Sequence, residues 1–383
     1  MLNIEEQESE KKGRRIGVVT IYDLGNYGNR LQNYAVIRYL SNMGYDAETL
    51  IIKQNNAKEV IKKVLDVLKI RKASKHWNLR QESKEYVAGL SEQGRQRYRL
   101  FKDFSYKYTN IKKISYWRKV PWQFRKQYDY FIAGSDQIWN PTIGHGVDWE
   151  FLSFSKRDKN ISWSASFGIS DIPENFKAKF KKYLRNVGHI SVREDTGVTI
   201  VKDLTNRRAE LLLDPTMMIT SDEWRSLAEA PKTELPGRYI LSFFLGGQDD
   251  KRREQIKALA DKNGCEVINL MDEECEVLYK TGPAQFIYLV EHASLVCTDS
   301  FHACVFSILL DKAFYAFDRL GEGMNMSTRI TNLLGKFELK DRMFDTKKAD
   351  GDAITHNYDH VYEILGEERQ KTRKFLKKAL IER

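Results

Sequence analysis

The sequence predicts an α/β protein of two doubly wound domains, in which parallel strands alternate with covering helices. Short apolar runs of strand length alternate along the chain with longer segments whose apolar residues recur at helical spacing. The alternation pauses at residues 231–237, a linker that contains proline and glycine, and then resumes. A chain of 383 residues is long enough for two domains of ordinary size.

The first half begins with a mostly apolar strand at residues 15–21, and a loop rich in glycine and asparagine follows it. Residues 30–40 are predicted to be a helix because their apolar residues recur at spacings of three and four. Further strands are predicted at residues 47–52, 128–134, 161–168, 189–193 and 211–216. A helix is expected from about Asp195, and residues 57–126 are predicted to be a basic helical insertion.

The second half repeats the pattern after a short predicted helix at residues 221–228. Strands are expected at residues 239–245, 266–270, 293–298 and 313–317, and helices from about Asp250, at 283–293, at 303–310 and from about His360. The predicted domains are residues 1–218 and 219–350, both Rossmann-like. A C-terminal helix within residues 351–383 is expected to pack back on the first domain. The carboxyl ends of both sets of strands should face a common cleft.

Positive charge is concentrated in one region of the chain. Residues 53–126 hold 21 Lys or Arg against 6 Asp or Glu, whereas the whole chain carries a net charge of +10. Such a block favours an anionic partner, which could be nucleic acid, a membrane surface, or a charged or lipid-linked glycan. Its aromatic residues could stack on bases: Trp77, Tyr86, Tyr98, Trp117 and Trp122. The alternative is that these charges only solvate exposed helical faces.

Several classes of protein are disfavoured by what the sequence lacks. No apolar run reaches the ~18 residues that span a bilayer, and residues 1–15 lack the apolar segment of a signal peptide. The four cysteines have no metal-ligand spacing, which fits reduced thiols and a cytoplasmic location. Neither a GxGxxG nor a Walker pattern is present, and there is no HExxH. We therefore expect no metal and no bound nucleotide cofactor.

The segment Thr-Asp-Ser-Phe-His at residues 298–302 joins a predicted strand to an apolar helix. Ligands of doubly wound proteins bind where strands end, and the N–H groups at a helix start favour anions. His302 is a candidate general acid or base at this turn. The alternative is that Thr298, Asp299 and Ser300 only cap the helix.

Other predicted strand ends and helix starts also carry polar side chains. They comprise Asn26, Asn29 and Arg30, then Asp136 and Gln137, then Ser164, Arg193 and Arg329. Arginine suits bidentate recognition of carboxylate or phosphate, and Asp136 is a candidate base or orienting group. Asp214, which precedes Pro215, is expected only to terminate a strand. The histidines other than His302 are expected to be structural or exposed.

Six segments, in order, resemble the polysaccharide pyruvyl transferase family. They are Asn-Tyr-Gly-Asn-Arg-Leu-Gln-Asn-Tyr-Ala (26–35), Gly-Ser-Asp-Gln-Ile-Trp (134–139), Ser-Val-Arg-Glu (191–194), Leu-Asp-Pro-Thr (213–216), Thr-Asp-Ser-Phe-His-Ala (298–303) and Ser-Thr-Arg-Ile-Thr-Asn-Leu-Leu (327–334). The resemblance implies a fold like the two-domain B-type glycosyltransferases. It also implies transfer of a pyruvyl group from phosphoenolpyruvate to two sugar hydroxyls, which yields a ketal and phosphate.

The resemblance also implies roles for individual residues. The family histidine falls on His302 and its strand-end arginine on Arg193. Many members have a further arginine where this chain has Ser300, so Arg193 or Arg329 would take over its contact with the donor. The predicted catalytic residues are His302 and Asp136, and the predicted donor contacts are Arg193, Ser300, Arg329 and Asn29. The predicted acceptor contacts are Asn26, Arg30, Gln137, Trp139 and Ser164.

The implied partners are phosphoenolpyruvate as co-substrate and a polysaccharide, cell-wall or lipid-linked glycan as acceptor, with peripheral contact at the inner membrane face. Two other functions stay open at this point. The first is a nucleotide-sugar glycosyltransferase, in which Asp318 or Glu322 would hold the ribose. The second is a nucleic-acid-binding protein that uses the basic residues 53–126.

Overall fold

The first half of the chain forms a parallel sheet in the computed structural model. The structure describes residues 13–54, 84–116, 119–272, 276–320, 327–345 and 354–381. The strands of the sheet are β1 Arg15–Val19, β2 Asp46–Gln54, β3 Ile111–Tyr116, β4 Tyr130–Ala133 and β5 Asn160–Ser162. Their order is β3-β2-β1-β4-β5, and neighbouring strands are parallel. Two further parallel strands, β6 Ser191–Val192 and β7 Glu210–Leu211, extend the sheet beyond β5 through single bridges.

The helices of this half are α1 Tyr27–Asn42, α2 Lys84–Ala88, α3 Glu92–Tyr108, α4 Trp122–Arg125, α5 Glu174–Arg185 and α6 Asp195–Thr205. The chain winds from β1 outward to β3 and then returns to β4 on the other side of β1. The crevice beyond the carboxyl ends of β1 and β4 is therefore a topological switch point, where doubly wound sheets bind ligands. Asp136 lies just beyond β4.

The second half forms a separate parallel sheet. Its strands are β8 Tyr239–Phe243, β9 Glu266–Asn269, β10 Leu295–Thr298 and β11 Phe314–Ala316, in the order β11-β10-β8-β9. Its helices are α7 Ser221–Leu227, α8 Asp250–Asn263, α9 Glu276–Tyr279, α10 Pro283–His292, α11 Phe301–Leu309 and α12 Ser327–Lys336. The predicted class, an α/β protein with two doubly wound parallel sheets, is confirmed by these strand pairings.

The prediction of a wholly helical region at residues 57–126 is wrong at β3, which is an edge strand of the first sheet. Ile114 and Tyr116 are buried, whereas Lys112 and Lys113 are exposed. Lysine suits an exposed edge strand because its charge hinders pairing with another chain. Six residues are too few to reveal a strand period within such a basic composition. Residues 57–83, 117 and 118 lie outside the described part of the chain.

Buried contacts at the start of α1 join the two domains. The ring of Tyr27 stacks on Phe286 of α10 with centroids 4.8 Å apart, and its hydroxyl lies 2.8 Å from Thr281 Oγ1. Arg97 of α3 donates to the Tyr27 hydroxyl at 2.6 Å and to the Tyr279 carbonyl at 3.1 Å. Arg97, which belongs to the basic region, therefore joins the two domains and is not available to an anionic partner.

The C-terminal helix, α13 Asp359–Ile381, runs from the second domain to the first. Just before it, the Tyr358 hydroxyl donates to the Lys312 carbonyl at 3.0 Å. In mid-helix Arg369 donates to the carbonyl of Met217 at 2.7 Å. Near the end, Phe375 meets His189 with ring centroids 6.5 Å apart. Among the described helices, none has the length and apolar character needed to cross a bilayer.

Candidate functional site

Charged side chains from both domains converge where the first sheet meets the second domain. Asp136 follows β4, Arg193 follows β6 and Asp214 follows β7. His302 lies in the first turn of α11 and Arg329 in the first turn of α12. Each of the five residues is at most 8% exposed. The structure thus brings four predicted site residues together and adds Asp214.

Asp214 lies at the centre of this cluster, so the expectation that it only ends a strand is incomplete. Its Oδ2 accepts from Arg193 Nη1 at 2.7 Å and from Ser135 Oγ at 2.9 Å. Its Oδ1 accepts from the backbone N and Oγ1 of Thr216, at 3.0 and 2.7 Å. Burial opposes ionisation, but His302, Arg193 and Thr216 hold the pKa of Asp214 far below its ordinary value. The sequence feature that could have indicated this function is the position of Asp214 at a strand end, a position that Arg193 also has.

His302 reaches across the cleft to the first domain. Its Nε2 lies 3.7 Å from Asp214 Oδ2. Its other ring nitrogen faces Gly28, where an added Cβ would lie 2.1 Å from Nδ1. The imidazole is therefore held between a carboxylate and the amino end of α1, and a glycine at position 28 is required for this close approach.

Asp136 accepts from Asn29 Nδ2 at 3.2 Å and from Arg193 Nη2 at 3.4 Å, and Arg329 Nη1 lies 3.7 Å away. Its φ of +67° is in the left-handed region, which is a mark of local strain that often occurs at functional sites. Burial raises its pKa, but the charges of Arg193, His302 and Arg329 outweigh burial and keep the pKa of Asp136 below its ordinary value. Asp136 is thus a carboxylate that balances two arginines.

The two arginines differ in how well their charge is balanced. Burial opposes the charge of Arg193, yet Asp214 and Asp136 keep its pKa above the ordinary value. Its guanidinium also lies 4.4 Å from the ring centroid of Phe301. Burial lowers the pKa of Arg329 to about 10, since Arg193 repels it and Asp136 compensates only in part. Arg329 is therefore the cation that gains more from an incoming anion.

A cavity of about 420 Å³, within the range of small-molecule sites, is lined by Arg193, Asp214 and Arg329 of this cluster but not by Asp136 or His302. It runs between the ends of β6 and β7 and the face of α12. Its lining residues include Arg193, Glu194, Asp195, Asp214, Met217, Phe301, Arg329, Asn332, Leu333, Lys336 and Lys340. The cleft expected between the two domains is therefore open to a small substrate beside both arginines.

Two of the predicted donor contacts have structural functions. Ser300 is the N-cap of α11, where its Oγ accepts from the backbone N of Ala303 at 3.4 Å. The capping interpretation of this turn therefore holds for Ser300, although His302 joins the charged cluster. Asn29 is fully buried and links Asp136 to the loop before α1, because its Oδ1 accepts from the backbone N of Asp23 at 3.0 Å.

Three of the predicted acceptor contacts are corrected by their burial, since Arg30, Trp139 and Ser164 are each 0% exposed. Arg30 donates to the Ile21 carbonyl and to Asn29 inside the domain. The Trp139 indole stacks on Phe151 with centroids 4.7 Å apart. Ser164 Oγ donates to the Leu213 carbonyl at 2.6 Å. These side chains build the interior of the first domain, and none of them lines the cavity.

The two remaining acceptor predictions, Asn26 and Gln137, hydrogen-bond within their own loops. Asn26 caps α1, with its Oδ1 3.1 Å from the backbone N of Asn29. Gln137 Oε1 accepts from Asn140 Nδ2 at 2.7 Å. Neither residue lines the cavity beside the arginines.

Glu194, which follows Arg193, is a residue that sequence reasoning did not single out for the site. Its Oε1 accepts from Ser166 Oγ at 2.9 Å and from the backbone N of Phe167 at 2.8 Å. The carboxylate of Glu194 therefore points into the first domain. Glu194 is the N-cap residue of α6, but its side chain makes no capping hydrogen bond to that helix. The start of α6, whose first residue is Asp195, borders the cavity.

The switch point of the second domain is filled by its own carboxylates. Asp299 accepts from the backbone N of Leu245 at 2.7 Å and from that of Gly246 at 2.9 Å. Asp249 caps α8 by accepting from the backbone N of Arg252 at 2.9 Å. Within the described residues, no group of three or more metal-binding side chains occurs.

Two parallel α/β domains enclose the buried arginines, carboxylates and histidine, and this arrangement defines the chain as a two-domain α/β protein. Within this class, the chain belongs to the polysaccharide pyruvyl transferase family, whose model matches residues 26–320. The predicted family is thereby confirmed, and it is a family of transferases acting in polysaccharide biosynthesis. The match includes Asp136, Arg193 and His302 and ends before Arg329.

Solved structures similar to this chain are distant. MurG from Acinetobacter baumannii is 11% identical, with 96% of this chain and 95% of that chain covered and a TM-score of 0.39. A UDP-GlcNAc 2-epimerase from Neisseria meningitidis bound to UDP-GlcNAc is 11% identical, with 93% and 100% covered and a TM-score of 0.40. The S. aureus MnaA–UDP structure is 8% identical, with 94% and 97% covered and a TM-score of 0.41. No curated protein matches the sequence.

Proposed function

We propose that the protein transfers the pyruvyl group of phosphoenolpyruvate to two hydroxyls of one sugar residue in a glycan or lipid-linked acceptor. The observation that carries this proposal is the pairing of Arg193 and Arg329 beside a cavity of about 420 Å³. Two guanidinium groups are suited to the carboxylate and phosphate of a small trianion. Membership of the family supports the proposed reaction type, and the geometry supports the choice of residues.

The reaction conserves protons overall. The methylene carbon of the donor gains a proton and becomes a methyl group, and the adjacent carbon becomes oxocarbenium-like. Two sugar hydroxyls bond to that carbon while the C–O bond to phosphate breaks. One hydroxyl proton ends on the methyl group and the other on phosphate. The protein must therefore relay a proton and stabilise anions, and no redox partner is needed.

His302 is the proposed proton relay, and Asp214 is the carboxylate that stabilises its protonated form. In the structure the two ring nitrogens face Asp214 and Gly28. A transfer through His302 therefore requires His302 and Gly28 to move relative to each other when substrates bind, and such conformational steps occur in many enzymes. Asp136 would accept a hydroxyl proton or balance the arginines.

Arg329 is the proposed replacement for the arginine that many family members have at the position of Ser300. The Ser300 hydroxyl already caps α11. Arg329 Nη1 and Arg193 Nη2 lie 3.7 and 3.4 Å from the same Asp136 oxygen, so both guanidinium groups can approach one anion. The donor would displace these long contacts and leave the 2.7 Å pair of Arg193 with Asp214 intact.

A nucleotide-sugar donor is less well supported. The backbone N–H groups after β8 and at the start of α8 are already occupied by Asp299 and Asp249. A pyrophosphate at this switch point would meet two carboxylates. Of the ribose-binding candidates, Glu322 lies outside the described residues.

The basic region supports contact with an anionic membrane surface better than nucleic-acid binding. Among its described aromatics, Tyr98 is buried whereas Trp122 is 53% exposed. Lys126 lies 4.3 Å from the ring centroid of Trp122, and an aromatic ring beside a lysine suits the lipid headgroup region. We expect the protein to sediment with anionic vesicles but not with neutral ones. We also expect Trp122→Ala to reduce the fraction that sediments. Salt-dependent retention on DNA instead would favour the nucleic-acid alternative.

The donor is tested by calorimetric titration of the purified protein with phosphoenolpyruvate, UDP, CMP and GDP. We expect binding of phosphoenolpyruvate that weakens by about tenfold or more in Arg329→Ala, because a charge-assisted hydrogen bond is worth ~1.5–3 kcal/mol. Arg208→Ala is the matched control, since this side chain is 85% exposed. Binding of a nucleotide and not of phosphoenolpyruvate contradicts the proposal.

A further inference from the structure

The face of α12 that borders the cavity has no assigned function. We infer that this face, together with the start of α6, is the acceptor subsite and holds one sugar ring by its hydroxyl groups. This inference rests on the proposed function, because it takes the cluster of Arg193 and Arg329 as the position of the donor. It replaces the acceptor contacts predicted from the sequence, which are buried or lie away from the cavity.

The spacing along α12 creates a continuous wall. Arg329, Asn332 and Lys336 are three and four residues apart, so they lie on one face of the helix, and all three line the cavity. Seven residues of helix span roughly 10 Å, which leaves room for a sugar ring between the donor position and Lys336. Lys336 is paired with Glu368 at 2.9 Å, and this ion pair marks the outer end of the subsite.

The chemistry of the walls suits a sugar. Asn332 and Thr331 on α12 and Asp195 at the start of α6 can donate to or accept from hydroxyls. Apolar side chains complete the lining, and they can pack against the C–H face of a ring: Leu212, Leu213, Met217 and Leu333. A few polar groups over an apolar floor is the usual composition of a site for a small, oriented ligand.

Two other sides of the cluster are closed by side chains of the described residues. His302 fills the space against Gly28 on one side. Asn29 and the buried Arg30 and Ser164 fill the interior of the first domain. Among the described residues, the cavity along α12 is therefore the approach that remains open to an acceptor.

Gly335 allows the subsite to be blocked without touching the charged cluster. It lines the cavity, and an added Cβ would have Lys340 Cε, 3.9 Å away, as its contact. The variant Gly335→Leu would place a branched side chain in the cavity. Gly335→Ala is the matched control, because one methyl group leaves most of the volume open. Asn332→Ala removes a polar contact without filling space.

The probes are methyl β-galactoside and methyl α-mannoside, whose binding is followed by saturation-transfer NMR with and without phosphoenolpyruvate. We expect at least one probe to bind the wild-type protein and Gly335→Ala. We expect no detectable binding to Gly335→Leu and about fivefold weaker binding to Asn332→Ala, as for the loss of one hydrogen bond. Calorimetry with phosphoenolpyruvate should give unchanged affinity in all three variants, which also shows that they are folded.

Two results overturn the inference: neither hexoside binds the wild-type protein, or binding persists unchanged in Gly335→Leu and Asn332→Ala. Should Gly335→Leu fail to fold, Asn332→Ala alone decides between these results and the expected one. Hexoside binding that depends on Asn332 in a protein that does not bind phosphoenolpyruvate supports the subsite and contradicts the proposed donor. The failure of one proposal is thus distinguishable from the failure of the other.

Discussion

His302 Nε2 lies 3.7 Å from Asp214 Oδ2, across the boundary between the two domains. The same carboxylate oxygen accepts from Arg193 at 2.7 Å. One buried carboxylate therefore connects the candidate proton relay to the candidate anion-binding arginine. A buried carboxylate is stable only when its lone pairs are satisfied, and Ser135 and Thr216 complete its hydrogen bonds. Asp214 consequently orients both functional side chains.

The substitution Asp214→Asn should reduce turnover strongly and lower stability. It leaves Arg193 and His302 without their shared counter-charge, and breaking a buried ion pair typically costs about 3–5 kcal/mol. Urea unfolding and the rate of phosphate release measure the two effects. The control is Asp250→Asn, an aspartate whose side chain is 92% exposed. Equal stability and turnover in Asp214→Asn and the wild-type protein would show that the carboxylate has no such function.

The stabilisation by Asp214 should also depend on pH. Because its folded pKa is depressed, its contribution is complete above the unfolded value of ~3.9 and is lost as pH falls through the folded value. The difference in unfolding free energy between the wild-type protein and Asp214→Asn should therefore be constant above about pH 5 and shrink below about pH 4. Urea titrations at a series of pH values measure it. A difference that grows on acidification contradicts the assignment.

Gly28→Ala should impair turnover by displacing His302. The added Cβ would lie 2.1 Å from Nδ1 and 2.3 Å from Cγ of the imidazole, so the ring or the second domain must move. We expect a loss of turnover of about tenfold or more, with overpacking costing ~1–3 kcal/mol of stability. Gly25→Ala in the same loop is the control, since its Cβ would meet Asp23 Oδ1 at an ordinary 3.5 Å. Equal activity of the two variants would refute the close packing.

Arg329→Met should weaken donor binding without lowering stability. The folded protein disfavours the charge of Arg329, because burial lowers its pKa to about 10. An apolar side chain of similar length removes that cost, and Arg193 remains beside Asp136 to balance its charge. We expect a melting temperature equal to or above that of the wild-type protein and phosphoenolpyruvate affinity reduced by about tenfold or more. A clear drop in melting temperature would mean that Arg329 is structural.

The periodicity of the sequence was sufficient to predict the fold. Strands such as β4 and β8 are buried along their whole length, so they appear as short apolar runs, and the helices between them show their own spacing. β3 was not predicted because it is an edge strand, and its exposed lysines interrupt the apolar run that marks a buried strand. Only part of the site could be predicted, because the sequence around a residue does not show which residues of the other domain lie close to it. His302 and Arg193 were recognised from strand ends, whereas Asp214 was taken for a strand terminator.

The burial of several predicted acceptor contacts has a related physical cause. Polar residues at strand ends are either exposed to the cleft or used to join loops inside the domain, and sequence position does not distinguish these cases. Arg30 satisfies its guanidinium within the first domain, and the Trp139 indole donates to the Glu150 carbonyl at 3.0 Å. Thr331, Asn332 and Lys336, by contrast, line the cavity although no strand precedes them directly.

The buried pair of His145 and Glu150 should stabilise the first domain more at low than at high pH. His145 Nδ1 lies 2.7 Å from Glu150 Oε1, and both side chains are at most 5% exposed. Burial opposes protonation, but the hydrogen bond and charge of Glu150 raise the pKa of His145 above its ordinary value. The contribution of the pair is therefore complete below the unfolded pKa of ~6.5 and is lost as pH rises through the raised folded value.

We expect Glu150→Gln to cost about 3 kcal/mol at pH 6 and clearly less at pH 9. Glu254→Gln, on the exposed face of α8, is the control and should show no such dependence in urea titrations. A cost that is the same at both pH values would mean that His145 stays neutral and that Glu150 acts only as a hydrogen-bond acceptor.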